Sequence, residues 1–229
     1  MLVRHACVAL VPTSPGYALG ASPRQYHRRP WFLRAWRSVR LRGFLAAARV
    51  WMPSFRHRLN RAQQVQYDRS NAVAAIPIRA TPRLLRAIEV LEDSLRTDDR
   101  ARTERIAQAI CDEICGILRV PPLRVQVGDV RPHDQRGELH GLYVPTEQGK
   151  RDRISVWMKT AKRGQVVAYR TFLRTLLHEV CHHLDTHLLS LPSSFHTPGF
   201  YQRESSLFNQ RMRQLPAAPP VRRERDQGT

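Results

Sequence analysis

The stretch "TLLHEVCHHLDTH", Thr175 to His187, holds four of the chain's ten histidines and sets Glu179 directly after the first of them. On a helix turning about 100° per residue, His178 and His182 fall about 40° apart and share one face. Asp185 lies about 20° to the other side, and Thr171 and Thr175 run near the same stripe. Phe172, Leu173, Leu176, Leu177, Val180 and Leu184 fill the opposite arc, so the helix is expected to be buried on that side. His183 and His187 project with the apolar arc, and Cys181 stands about 60° from His178. Only His178 and His182 can therefore converge on one ion, and Cys181, His183 and His187 are expected not to bind it.

Two imidazoles at i, i+4 present nitrogens one turn apart, which suits a tetrahedral Zn²⁺. A third protein ligand leaves the fourth position open for water, whose pKa the ion lowers toward neutrality. Glu179, about 100° round the helix, reaches that water rather than the ion. It is placed to take the proton as the water attacks a carbonyl. The alternative is a solvated histidine-rich face, which the strongly apolar far side of the helix argues against. Four residues compete to be the third ligand. His187 stands one short of the position a metzincin would use, which here is Leu188. Asp185 shares the face but is better suited to orient a ligand imidazole. Glu204 and His196 come from the segment that follows.

"LLHEVCHHLD", a short loop and then "HTPGF" (His196 to Phe200) resemble the SprT-like and WLM zincins, small metallopeptidases that pair H-E-x-x-H with a later H-x-x-x-F. The resemblance covers about residues 81–214. It implies a zinc site of His178, His182 and His196, with Glu204 the runner-up for His196 and Glu179 the general base. It implies an α+β fold: a minimal zincin-like domain of helices, a small three-stranded sheet, the H-E-x-x-H helix and a short following helix. It also implies a metallopeptidase acting on a protein or peptide. No Cys follows His196, so the zinc ribbon of many SprT members has no counterpart here.

The flanking sequence has the order this requires. Thr81 before Pro82 reads as an N-cap with Pro at the first helical position. Leu84, Leu85, Ile88, Leu91 and Leu95 follow at helical spacing, and a second helix is expected from about Asp98 to Leu118. "LRVQVGDV" (123–130), "GELHGLYV" (137–144) and "RISVWMKT" (153–160) read as strands. The motif helix is expected from about Val167 to Leu188, and Thr197 with Pro198 opens another. Tyr143, Tyr169 and Tyr201 are the candidate oxyanion stabilisers. The tail 215–229 is polar.

Charge is unevenly spread. Residues 1–70 carry thirteen Arg and one Asp, a net +12 of the chain's +19. Within them "WFLRAWRSVRLRGFLAAARVWM" (31–52) alternates Trp31, Trp36 and Trp51 with Arg34, Arg37 and Arg40, the pattern of a basic amphipathic helix. Residues 1–80 are thus expected to be a basic arm outside the catalytic domain. Residues 1–70 would touch nucleic acid or an anionic membrane. The apolar run "HACVALVP" is short for a secretory signal, and no 18-residue apolar run exists, so a cytoplasmic protein is expected. Cys7, Cys111, Cys115 and Cys181 have no disulfide or zinc-finger spacing. The competing function is an inactive zincin scaffold that binds nucleic acid or membrane through the arm. The intact Glu179 argues against it. A hydrolase of non-peptide amides would use the same ligands.

Overall fold

The computed structural model describes residues 5–10, 55–135, 137–146 and 150–212. The tryptophan-rich stretch 31–52 and the tail beyond Met212 lie outside them. The chain divides into two units, Val11–Val65 and a larger one made of Met1–Leu10 with Gln66–Thr229. In the first lie a 3-10 turn at Phe55–Arg58 and the start of helix α1 (Arg61–Ala72), whose residues from Gln66 onward belong to the larger unit. Asn60 and Gln63 cap its start reciprocally: the Gln63 N–H donates to Asn60 Oδ1 at 2.9 Å, and the Asn60 N–H to Gln63 Oε1 at 3.1 Å.

The larger unit follows the expected order of elements. Thr81 caps α2 (Pro82–Arg96), accepting the Leu84 N–H at 3.1 Å, with Pro82 at the first position. Asp99 caps α3 (Arg100–Leu118) in the same way through Arg102. Three strands stand where alternation placed them, β2 (Arg124–Val130), β4 (Gly137–Val144) and β5 (Arg153–Lys159). The motif helix α4 (Tyr169–His187) packs on β4 and β5. Thr197 caps α5 (Pro198–Met212) by accepting the Phe200 N–H at 3.0 Å. Among the described residues no helix is long and apolar enough to cross a membrane.

The sheet is larger than the expected three strands. Its order is β1-β4-β5-β2, where β1 (His5–Leu10) runs antiparallel to β4 and the two-residue β3 (His133–Asp134) also pairs β4. β4 and β5 are antiparallel, whereas β5 and β2 are parallel. "HACVAL" carries no alternation that marks a strand. It becomes one because it can complete the ladder along β4, a partner more than a hundred residues away. The other edge, β2, is closed by side chains of α3. Gln108 Oε1 accepts the Val125 N–H at 2.8 Å, and Glu104 Oε2 accepts the Val127 N–H at 2.9 Å.

The packed domain also reaches further back than Thr81. From Gln66 onward α1 lies against the segment that carries His196. Tyr67 and Ser70 are buried, Ser70 Oγ meets Thr197 Oγ1 at 3.0 Å, and Asn71 Oδ1 accepts the Gly199 N–H at 3.0 Å. A Cβ at Gly199 would stand 2.5 Å from the Ser70 carbonyl oxygen, so the approach of α5 to α1 requires glycine there.

Candidate metal centre

α4 is buried along most of its length, and its polar stripe is not solvated: His178, Glu179, His182 and Asp185 are all inside. The short loop after α4 turns His196 back over this stripe. His196 Nε2 lies 3.0 Å from His178 Nε2 and 3.0 Å from His182 Nε2. The three sequence-nominated histidines therefore meet at one point, as a group able to hold a metal ion. The ring of Phe200, one turn on in α5 and fully buried, packs 4.7–5.0 Å from all three imidazoles.

The outer nitrogens decide what the inner ones can do. His178 Nδ1 lies 3.0 Å from Glu204 Oε2, an acceptor, so it carries the proton there. Glu204 is held in turn by Arg174, whose NH1 donates to Oε1 at 2.9 Å. His182 Nδ1 lies 2.7 Å from Ser194 Oγ. The Ser194 hydroxyl already donates to Asp185 Oδ2 at 2.9 Å, so it must accept from His182. Both rings are thus fixed with Nδ1 protonated and the Nε2 lone pair turned inward. His196 Nε2 faces both of these lone pairs at 3.0 Å, and an ion seated among the three nitrogens would satisfy them together. The donor set fits a metal ion.

Glu204, the runner-up third ligand, is engaged with His178 instead. Asp185 reaches His182 through Ser194 and is itself clamped by Arg203, whose NH2 donates to its two oxygens at 2.8 and 3.1 Å. Cys181 lies fully buried within α4 and outside the cluster, its thiol pushed well up by that burial. Tyr143 donates to Asp152, away from the centre, and Tyr169 opens α4 with its phenol pushed up to about 12 by burial. Tyr201 and Tyr143 both set a ring against the centre, 5.8 Å from that of His196 and 6.2 Å from that of His182, but the Tyr143 hydroxyl is committed to Asp152.

Glu179 is 0 % exposed, and neither carboxylate oxygen completes a hydrogen bond. Burial drives its pKa well above the usual carboxylate range. The Tyr143 backbone amide opposes that rise, and the Glu204 carboxylate adds to it. The side chain is pressed on β4 where Gly141 leaves room: a Cβ on Gly141 would stand 2.3 Å from Glu179 Oε1 and 2.8 Å from its carboxyl carbon. Gly141, Ser194, Arg174 and Arg203 were not nominated from the sequence. Arg203 and Glu204 did leave a signal, because they interrupt the apolar face Phe200, Leu207, Phe208 at core spacing. Charged residues at such positions are buried only when paired. Comparison of the chain with protein-family models, with curated proteins and with solved structures finds no match.

Proposed function

We propose that the chain is a zinc-dependent hydrolase, a metallopeptidase, with His178, His182 and His196 as ligands and Glu179 as general base. The observation that supports the reading is the meeting of three imidazole nitrogens, two of them with lone pairs turned inward by acceptors behind them, beside a buried Glu179 whose carboxyl completes no hydrogen bond. Two nitrogens bound at 2.0–2.1 Å in a tetrahedron lie about 3.3 Å apart, and 3.0 Å is observed here. Bound zinc supplies Lewis-acid polarisation of water and of a substrate carbonyl. Glu179, desolvated against β4, takes and returns a proton at its carboxylate. Arg174 through Glu204, and Asp185 through Ser194, hold the two helix imidazoles in register. Phe200 keeps water from beneath the cluster. Tyr201, at the rim, offers a phenol to the oxygen that gains charge.

The test uses the full chain, stripped with a chelator and then reloaded with Zn²⁺. Casein and a broad peptide library serve as substrates. Cleavage is expected only in the loaded form. A protein that retains zinc in the His178–His182–His196 cluster and cleaves nothing would be a metal-binding scaffold rather than a peptidase.

Gly141 gives a second expectation. Gly141→Ala must move Glu179, since its Cβ would overlap the carboxylate. A displacement of about 1 Å at a catalytic group costs up to about 10²-fold in rate. Zinc content should stay at the parent value while turnover falls at least about tenfold. Unchanged turnover would show that Glu179 does not act from this position.

A further inference from the structure

The other side of α4 carries a second pair of imidazoles with the same spacing. His183 and His187 are four residues apart, as His178 and His182 are, and they point away from the first cluster toward the segment that joins β4 to β5. Asp152, the residue before β5, comes to meet them. Its Oδ2 lies 3.2 Å from His183 Nδ1 and 2.7 Å from His187 Nε2, so that one atom from each residue stands within 4.8 Å of the others. Asp152 and His183 are buried, and His187 opens the group to solvent.

The hydrogen bonds around the group hold its members in place. The far nitrogen of His183, Nε2, lies 2.8 Å from the Pro121 carbonyl oxygen, which can only accept, so a neutral His183 carries its proton there. Its Nδ1 faces the Tyr143 hydroxyl at 3.5 Å and Asp152 Oδ2 at 3.2 Å. That oxygen already accepts from the Tyr143 hydroxyl at 2.5 Å. The other carboxylate oxygen is occupied by the Thr146 N–H at 2.8 Å and the Thr146 hydroxyl at 3.2 Å. Burial pushes Asp152 up, but the hydrogen bonds from His183, Tyr143, Thr146 and His187 outweigh it and hold the carboxyl well below the usual range. One nitrogen of each histidine and one oxygen of Asp152 thus converge in a largely buried place, with Asp152 and His183 oriented by the groups behind them. An ion among the three atoms would satisfy His183, His187 and Asp152 together, as at the first cluster.

We infer that Asp152, His183 and His187 form a second divalent-metal site on the opposite side of the motif helix. Two imidazoles and one carboxylate suit a first-row ion such as Zn²⁺. The site ties the β4–β5 connection, which carries Asp152, to α4, which carries the first cluster. Tyr143 lies between the two, its ring 5.9 Å from that of His183 and 6.2 Å from that of His182. The inference does not depend on the peptidase reading.

Zn²⁺ alone is the probe. The stripped full chain is titrated by calorimetry, and bound metal is counted after gel filtration for the parent, His187→Ala, Asp152→Asn and His196→Ala, each checked for folding by circular dichroism. His187 lies at the surface end of the group, and Asp152→Asn preserves size, so at least one of these two variants is expected to fold. Two ions per chain are expected for the parent and one for each single variant. If the first cluster binds nothing, the parent should hold one ion that survives His196→Ala and is lost in His187→Ala or Asp152→Asn. That result would sustain the second site and sink the peptidase reading. One ion in the parent that survives His187→Ala and Asp152→Asn but is lost in His196→Ala would overturn the second site. So would a second ion that binds only at millimolar concentration.

Discussion

Glu179→Gln is expected to keep a full complement of zinc and to lose about 10²–10⁴ in turnover, the usual worth of a general base. The two expectations separate because Glu179 is not part of the histidine group that could hold the ion. Glutamine has nearly the same volume, so the fit against Gly141 and β4 survives, but an amide cannot take a proton. The thermal midpoint should not fall, because the substitution replaces a buried carboxyl with no completed hydrogen bond by a neutral group. Metal content, melting temperature and cleavage of the responsive peptide are measured on one preparation. Cleavage near the parent rate would remove Glu179 from the chemistry. Lost zinc together with lost activity would make it a ligand or a structural support instead.

The largest effect on stability is expected at Arg203. This side chain is fully buried, and it bonds the Ser70 and Val73 carbonyl oxygens at 2.6 Å each as well as Asp185. Arg203→Met leaves an uncompensated buried carboxylate and two carbonyls without their donor. Breaking one side of a buried pair costs about 3–5 kcal/mol, to be read from urea denaturation of the metal-free chain. The loss should depend on pH. Burial already raises Asp185 to about 6 from its ordinary 3.8, even though Arg203 opposes it. A carboxyl whose folded pKa is raised stabilises fully below its unfolded value and loses that contribution as pH rises through the folded one. Without Arg203 the folded value climbs further, so the deficit of the variant should be greater at pH 8 than at pH 5. Arg203→Met combined with Asp185→Leu should recover part of it. A single variant within 1 kcal/mol of the parent, an order-of-magnitude threshold for a lost buried pair, would show that the clamp is not what holds α1 and α5 to the motif helix.

What could be read from the sequence was what local spacing dictates. His178 and His182 share a face because helical geometry requires it, and Thr81 and Thr197 cap helices because the next residue is proline. His196 came only from the resemblance, whose H-x-x-x-F element His196 and Phe200 match. The rest depended on partners brought from far along the chain. "HACVAL" is a strand only beside β4, and α1 from Gln66 onward joins the domain through partners far along the chain, Arg203 and Thr197 on Ser70 and Gly199 on Asn71. The helical wheel showed correctly that His183 and His187 turn away from the first cluster. It could not show Asp152 arriving from the strand connection to meet them.

The union of α1 with α5 also sets an order of events. Its hydrogen bonds join residues 127, 128 and 133 positions apart. The cost of closing such a loop grows only slowly with length, about 0.6 kcal/mol per doubling, yet contacts this distant slow the search for the native state. On a ribosome, Ser70 emerges long before Arg203 exists. The loop that presents His196 is braced by this late union, through Ser70 with Thr197 and Asn71 with Gly199. The histidine cluster is therefore expected to be among the last parts of the molecule to take shape. A nascent chain stalled before α5 has the motif helix but no complete seat for an ion.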